Sequence, residues 1–234
     1  MTAAGITEQL KSLGSPEKAE ACLRFFKCGE GEYGEGDRFL GVTVPEQRAI
    51  AKANRDLPLP EVGKLLGSPY HEVRLTGILI LTYAFVRADG RKRKEIFYFS
   101  LSHREAMNNW DLVDTGAPRL IGAYLAERKS GRGLLYRLAK SENLWERRIA
   151  IVSTLAFIVK NDFVDALSIA EKLLGDKHDL IHKATGWMLR EVGKRDETAL
   201  KEFLDRHAAV MPRTMLRYAI ERFDQEERAR YLGA

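Results

Sequence analysis

Cysteine is scarce in this chain of 234 residues. The two present, Cys22 and Cys28, stand six apart, on different sides of any helix that holds them, which argues against a disulfide framework or a zinc ribbon. Long apolar runs are also missing. The longest, "GILILTYAFV", has about ten residues, half of the roughly 20 that a membrane-spanning helix needs. The amino terminus, "MTAAGITEQLKSLG", lacks the basic start and apolar stretch of a secretory signal. Sustained alternation of apolar and polar residues is absent, so strands are expected to be few or none. No glycine-rich loop closes on a phosphate-binding lysine, and no lyase-type lysine or redox centre stands out. Neither a cofactor nor strand cleavage is therefore expected. These absences describe a cytoplasmic protein with no membrane partner.

The composition that is there, 45% hydrophobic and 30% charged, suits one globular domain over residues 1–234. A net charge of +5 permits a polyanionic partner without demanding one, so the placement of the charges matters more than their sum.

Helix signals recur along the chain. Ser15 in "SPEK" and Ser68 in "SPYH" each precede a proline suited to a first helical position. Thr43 opens a capping box with Glu46, and "SENLWE" from Ser141 and "DKHDLIH" from Asp176 look like further starts. Between them apolar residues return every three or four positions, which predicts roughly ten to twelve helices. The exception is "CGEGEYGEGDRFLG" at residues 28–41, with five glycines, read as a loop with a small hairpin around Tyr33 as an option. It would be either a mobile surface loop or a flap facing a partner.

Five segments align with one another: Arg74-Leu75-Thr76-Gly77, Val113-Asp114-Thr115-Gly116, Arg148-Ile149-Ala150-Ile151, Lys183-Ala184-Thr185-Gly186 and Arg217-Tyr218-Ala219-Ile220. Their first residues lie 34 to 39 apart, Trp110 aligns with Trp145, and a degenerate sixth copy begins at Arg48. A period of this length holding two helices predicts an all-α fold, an α-α superhelix of HEAT-like repeats whose equivalent positions line one concave surface. Thr76, Thr115, Ala150, Thr185 and Ala219 are expected where neighbouring helices pack closest.

Arg74, Arg148, Lys183 and Arg217 share the first position, with Arg147 and Arg190 nearby. In register they would form a basic groove for a phosphate backbone, to which arginine offers bidentate geometry. The bland alternative pairs them with Glu46, Glu72, Glu146 and Glu191. Asp114 is the anomaly, because it stands where the other copies have Leu75, Ile149, Ala184 and Tyr218. A carboxylate in an apolar slot is costly unless it is hydrogen-bonded or has a task. Trp110, four residues earlier, shares its helical face. A carboxylate beside an indole in a basic groove suits stabilisation of a transient cation next to DNA. The alternative is a packing aspartate satisfied by backbone or by Arg148. Asp111 reads as a helix-dipole residue and Trp145 as core, whereas Trp187 follows Lys183 by one turn and could face the groove. His178 and His182 have the spacing of a helical metal pair but no third ligand, so no metal site is expected.

"NNWDLVDTGAP", "NLWERRIAIVSTLAF" and "DLIHKATGWMLREVGKRD", flanked by "PEKAEACLRFF", "LGVTVPEQR" and "MPRTMLRYAIERF", resemble the AlkD family of bacterial DNA alkylation-repair proteins over nearly the whole chain. The resemblance implies a HEAT-like-repeat fold that cradles double-stranded DNA. It also implies a monofunctional DNA glycosylase that excises cationic N3- or N7-alkylated purines in base excision repair, without flipping the base into a pocket. The family's catalytic aspartate and two tryptophans match Asp114, Trp110 and Trp187, and its cleft arginine matches Arg148. Two departures stand out. Phe25 occupies the place of a tyrosine in the best-known member, and residues 28–41 look like an insertion. A non-catalytic binder of damaged or branched DNA and a protein scaffold are the competing readings. The architecture points to a monomer.

Overall fold

A computed structural model describes residues 1–233. Among these residues the secondary structure is helical, and the one β-type pairing is an isolated parallel bridge between Arg38 and Tyr70. The fold is all-α and built from helical repeats, as the periodicity predicts. The chain divides into two compact units, Met1–Gly116 and Ala117–Ala234. No helix among the described residues is long and apolar enough to cross a membrane.

The first unit holds α1 (Ala3–Ser12), α2 (Pro16–Phe25), α3 (Val44–Ala53), α4 (Leu59–Leu66), α5 (His71–Arg87), α6 (Gly90–Ser102) and α7 (Trp110–Gly116). Helix α5 is its centre. It packs against α3, α4, α6 and α7, and every residue from His71 to Thr82 is buried. A helix enclosed on all sides needs apolar residues all round, which "GILILT" supplies. Its three charge-bearing residues at the start, His71, Glu72 and Arg74, must instead find partners inside the protein.

The second unit opens with a π-helical stretch, Ala117–Gly122, followed by α8 (Ala123–Ala126), α9 (Gly133–Leu138), α10 (Leu144–Ser153), α11 (Leu155–Ile158) and α12 (Val164–Lys172). It closes with α13 (Asp179–Gly193), α14 (Glu197–His207), α15 (Arg213–Ala219) and α16 (Gln225–Leu232). The sixteen helices among the described residues exceed the ten to twelve expected because short pieces such as α8 and α11 break what the apolar spacing reads as continuous.

Helix starts follow the capping chemistry in part. Ser15 accepts from the Lys18 amide, and Glu46 reaches back to the Thr43 amide at 2.8 Å and hydroxyl at 2.6 Å. Three other starts lie two residues beyond the expected cap. Ser68, Ser141 and Asp176 accept from the amides of Tyr70, Asn143 and His178, at 3.1, 3.1 and 2.9 Å, and so build a turn ahead of the helix. The capping positions are Tyr70, Asn143 and His178 themselves.

These turns correct the repeat register. The first backbone bonds of the four-residue kind in the five helices are donated by Arg74, Val113, Arg147, His182 and Leu216. Arg74 is thus equivalent to Arg147, not to Arg148. A second set of bonds agrees: Arg74, Arg147 and His182 each reach the carbonyl six residues earlier, of Ser68, Ser141 and Asp176, at 3.0, 2.9 and 2.6 Å. The next position along then holds Leu75, Asp114, Arg148, Lys183 and Arg217. Asp114 therefore stands in a slot that is basic in three copies, not in the buried apolar one. The closely packed small residues become Gly77, Gly116, Ala150, Thr185 and Ala219, all buried.

Packing is close where α13 meets α15. A Cβ on Gly186 would lie 2.4 Å from the Met215 carbonyl oxygen and 2.5 Å from the Tyr218 Cβ, so the backbones would have to separate. Gly186→Ala is expected to cost about 1–3 kcal/mol, measured as a lower urea midpoint at unchanged slope. Full stability in that variant would show that α15 can move away freely.

Candidate functional site

The start of helix α7 is tightly held. The buried Asn109 accepts from the Trp110 amide at 2.8 Å and donates to Asp37 at 3.4 Å. Within α7, Leu112 and Val113 are fully buried, whereas Trp110 and Asp114 are half-buried, one turn apart on the same side. The indole of Trp110 stacks on Phe26, with centroids 5.4 Å apart, and meets Phe25 edge-on at 5.9 Å. Phe25 itself is 64% exposed, an unusual state for a large apolar ring, and extends the aromatic surface into solvent.

Behind this surface lies a network that the sequence pattern did not disclose. His71, at the first position of α5, is 2% exposed. Its Nδ1 is 3.0 Å from Asp37 and its Nε2 is 2.8 Å from Asp111. Phe26 and Phe39 both lie against the imidazole, with centroids 4.8 Å away. Burial pulls the His71 pKa down, but hydrogen bonds to Asp111 and Asp37, and their charges, outweigh it and push it up to about 9. Burial raises the Asp37 carboxyl in turn, yet the His71 hydrogen bond and the Arg74 charge hold it below the ordinary value. Arg74 also donates to Asn108 at 3.0 Å.

The glycine-rich segment 28–41 forms no hairpin around Tyr33. It is a succession of turns, with Gly31, Gly36 and Gly41 at positive φ. Its last residues are fastened to α5, because Glu72 accepts the amides of Leu40 and Gly41 at 3.0 and 2.8 Å. Gly41 is obligatory there. Its φ is +79°, and a Cβ would lie 2.1 Å from the Ser15 carbonyl oxygen.

The residues expected to hold phosphate divide by exposure. Arg74 and Arg148 are each 5% exposed. Arg74 is committed to Asp37, and Arg148 donates to the Leu180 carbonyl at 2.6 Å. Arg147 pairs with Asp176 at 2.6 Å, Lys183 with Asp179 at 2.6 Å, and Arg190 with Glu221. Three of the four carboxylates that the bland reading named as their partners are engaged elsewhere. Glu46 caps α3, Glu72 holds the loop, and Glu191 takes the Trp187 indole N–H at 3.2 Å and Lys194 at 2.7 Å. Arg48 and Arg217 are exposed and have no side-chain partner among the described residues. Trp187 is half-buried on α13, directly after Gly186.

Both histidines of the helical pair serve the turn before α13. His178 accepts from the Leu180 amide at 3.1 Å, and His182 holds the Asp176 carbonyl. Among the described residues no group of three or more potential ligands is placed to hold a metal ion.

Asp37 and His71 carried no motif. Asp37 sits in a loop among glycines, and its partners lie 34 to 72 positions away, beyond any local periodicity. The one available signal was "HEVR" leading into an otherwise apolar helix, a cluster of charge that burial obliges to pair.

Among solved structures, one described as a predicted DNA alkylation repair enzyme from Enterococcus faecalis is 18% identical. It covers 91% of this chain and 97% of its own, with a TM-score of 0.70. AlkD2 from Streptococcus mutans is likewise 18% identical, with 94% and 98% coverage and a TM-score of 0.56. At this identity the likeness speaks for the fold. No curated protein matches the chain. The model of the family described as DNA alkylation repair enzyme matches residues 6–223, nearly the whole chain, and the protein belongs to that family.

Proposed function

We propose that this member of the repair family is a monofunctional DNA glycosylase. It would release cationic N3- and N7-alkylated purines from duplex DNA, as a cytoplasmic monomer in which residues 1–234 act as one domain. The observation that carries this reading is the pairing on α7. Asp114 is a half-buried carboxylate in a slot that is basic in three other copies, one turn from an indole face set on a phenylalanine platform.

The chemistry follows from the leaving group. A cationic alkylpurine departs readily, so little general acid is needed, and the demand is to stabilise the oxocarbenium-like sugar. Asp114 supplies the negative charge and orients the attacking water. The Trp110 face attracts the electron-poor sugar, as an aromatic face attracts a cation. Trp187 enters from the family resemblance as a second such face. Arg48 and Arg217 are the free cations suited to phosphate, with Lys183, Arg190 and Arg147 able to exchange their carboxylates for it. Arg74 and Arg148, both buried, hold the scaffold instead.

Incubation of the protein with methylated duplex DNA tests the reading. Release of 7-methylguanine and 3-methyladenine above the spontaneous rate supports it. Tight binding without release would make the protein a damaged-DNA binder, a reading that the exposed Phe25 in place of tyrosine would then explain. The phosphate contacts are tested by salt dependence. Arg48→Ala and Arg217→Ala are each expected to reduce the slope of log affinity against log salt by about 1. An unchanged slope removes that residue from the interface.

A further inference from the structure

The proposed chemistry needs Trp110 and Asp114 to point in a fixed direction, and both stand in the first two turns of α7. The contacts that fasten this end reach outside the helix. Asp111, its second residue, puts Oδ2 2.8 Å from His71 Nε2, while its buried Oδ1 has no partner. His71 is in turn fastened to the loop through Asp37 and is covered by Phe26, the ring under the Trp110 indole.

We infer that His71 is a positioning residue, whose imidazolium, bonded to Asp37 and Asp111 at once, locks the glycine-rich loop to α7 and fixes the Trp110 face and the Asp114 carboxylate. The geometry itself requires the charged ring. A neutral imidazole has one N–H and one lone pair, so one of its nitrogens would confront a carboxylate oxygen lone pair to lone pair. Only the protonated ring donates to both. Loss of the proton must therefore break the tie to the loop or the tie to α7. The glycine-rich segment gains a role in this arrangement, because it delivers Asp37 and Phe39 to the two sides of the ring.

Asp37 and Asp111 are the charges that act on the ring, and the other charged residues on these elements stand near them or His71 in sequence. The loop contributes Asp37, α5 contributes Glu72 and Arg74, and α7 contributes Asp111, with Asp114 one turn on. The thiols nearby titrate high. Burial, then Glu72 and Asp111, raise Cys22, while burial, then Asp37, push Cys28 up to about 11. Since the His71 pKa is raised in the folded protein, its stabilising contribution is complete below about pH 6.5 and is lost as pH rises through about 9.

The test uses the full-length protein labelled with 5-fluorotryptophan, carrying Cys22→Ser and Cys28→Ser so that no thiol titrates. Trp110→Phe identifies the Trp110 fluorine resonance. That resonance is expected to shift with a single midpoint near pH 9. In Asp111→Asn the midpoint should fall toward the ordinary histidine range, and in His71→Gln the transition should vanish. The inference rests on the glycosylase reading for its kinetic half. The single-turnover release rate should fall roughly ten- to a hundredfold across the same midpoint while duplex affinity holds. A Trp110 resonance that stays still from pH 6 to 10, or a midpoint that Asp111→Asn leaves in place, overturns the inference even if His71→Gln fails to fold. If the resonance titrates as described but no base is ever released, the lock stands and the glycosylase reading falls.

Discussion

Asp114→Asn is expected to slow 7-methylguanine release from duplex DNA by about 10²–10³-fold, equivalent to roughly 3–4 kcal/mol of barrier, while duplex affinity changes by less than about twofold. Asparagine keeps the size and much of the hydrogen bonding of the aspartate and removes only its charge. A carboxylate that acts on developing positive charge contributes in the transition state far more than in the bound ground state, so the loss should appear in the rate constant. Single-turnover release at saturating protein gives the rate, and fluorescence anisotropy gives the affinity. An unchanged rate would leave Asp114 without a chemical role. A collapse of affinity would make it part of the fold or the binding surface.

Arg74→Ala is expected to lower the free energy of unfolding by about 3–5 kcal/mol and to leave the salt slope of DNA binding unchanged. Its guanidinium is 5% exposed and serves Asp37, the Ser68 carbonyl and Asn108 together. Removal would strand the Asp37 carboxylate in the interior with His71 as its remaining cationic partner. Urea unfolding measures the first effect, and titration with duplex at several salt concentrations measures the second. Intact stability with a slope reduced by about 1 would return Arg74 to the phosphate-binding set.

The contrast between Arg74 and Arg217 shows what could be read from the sequence and what could not. The helical repeat was legible because its period is carried by apolar and small residues that recur whatever lies between them. The register within the repeat was not. Aligning on the basic residue placed Arg74 with Arg148, when the hydrogen bonds align it with Arg147. A slip of one residue costs nothing in a string of letters, but on a helix it turns a side chain by about 100° and decides between core and solvent. The same slip made Asp114 look like a carboxylate in a greasy slot, when it is a reversal of sign in a polar one. The anomaly at Asp114 was visible, but its nature was not.

Capping held at Ser15 and Thr43 but was misplaced at three other starts for a related reason. Ser68, Ser141 and Asp176 do bond the backbone next to a helix, as their chemistry dictates, but two positions early, where a turn serves them as well as a cap would. Of the His71 network only the charged "HEVR" start of α5 was legible, and its partners were not. The network's members are brought together by tertiary packing of α5, α7 and the loop, and no spacing rule links Asp37 to Asn109.

The bonds from Arg74, Arg147 and His182 back to carbonyls six residues earlier carry a consequence for how such a chain can lengthen. Both ends of each bond lie within one short segment. A tandem duplication of that segment copies donor and acceptor together, so the new unit arrives with its corner already closed. The ties of His71 to Asp37 and Asp111 are of the opposite kind, since they run 34 and 40 residues along the chain and no single repeat contains all three residues. Local bonds would let copies accumulate freely, and the distant ones are where a single copy acquires individuality.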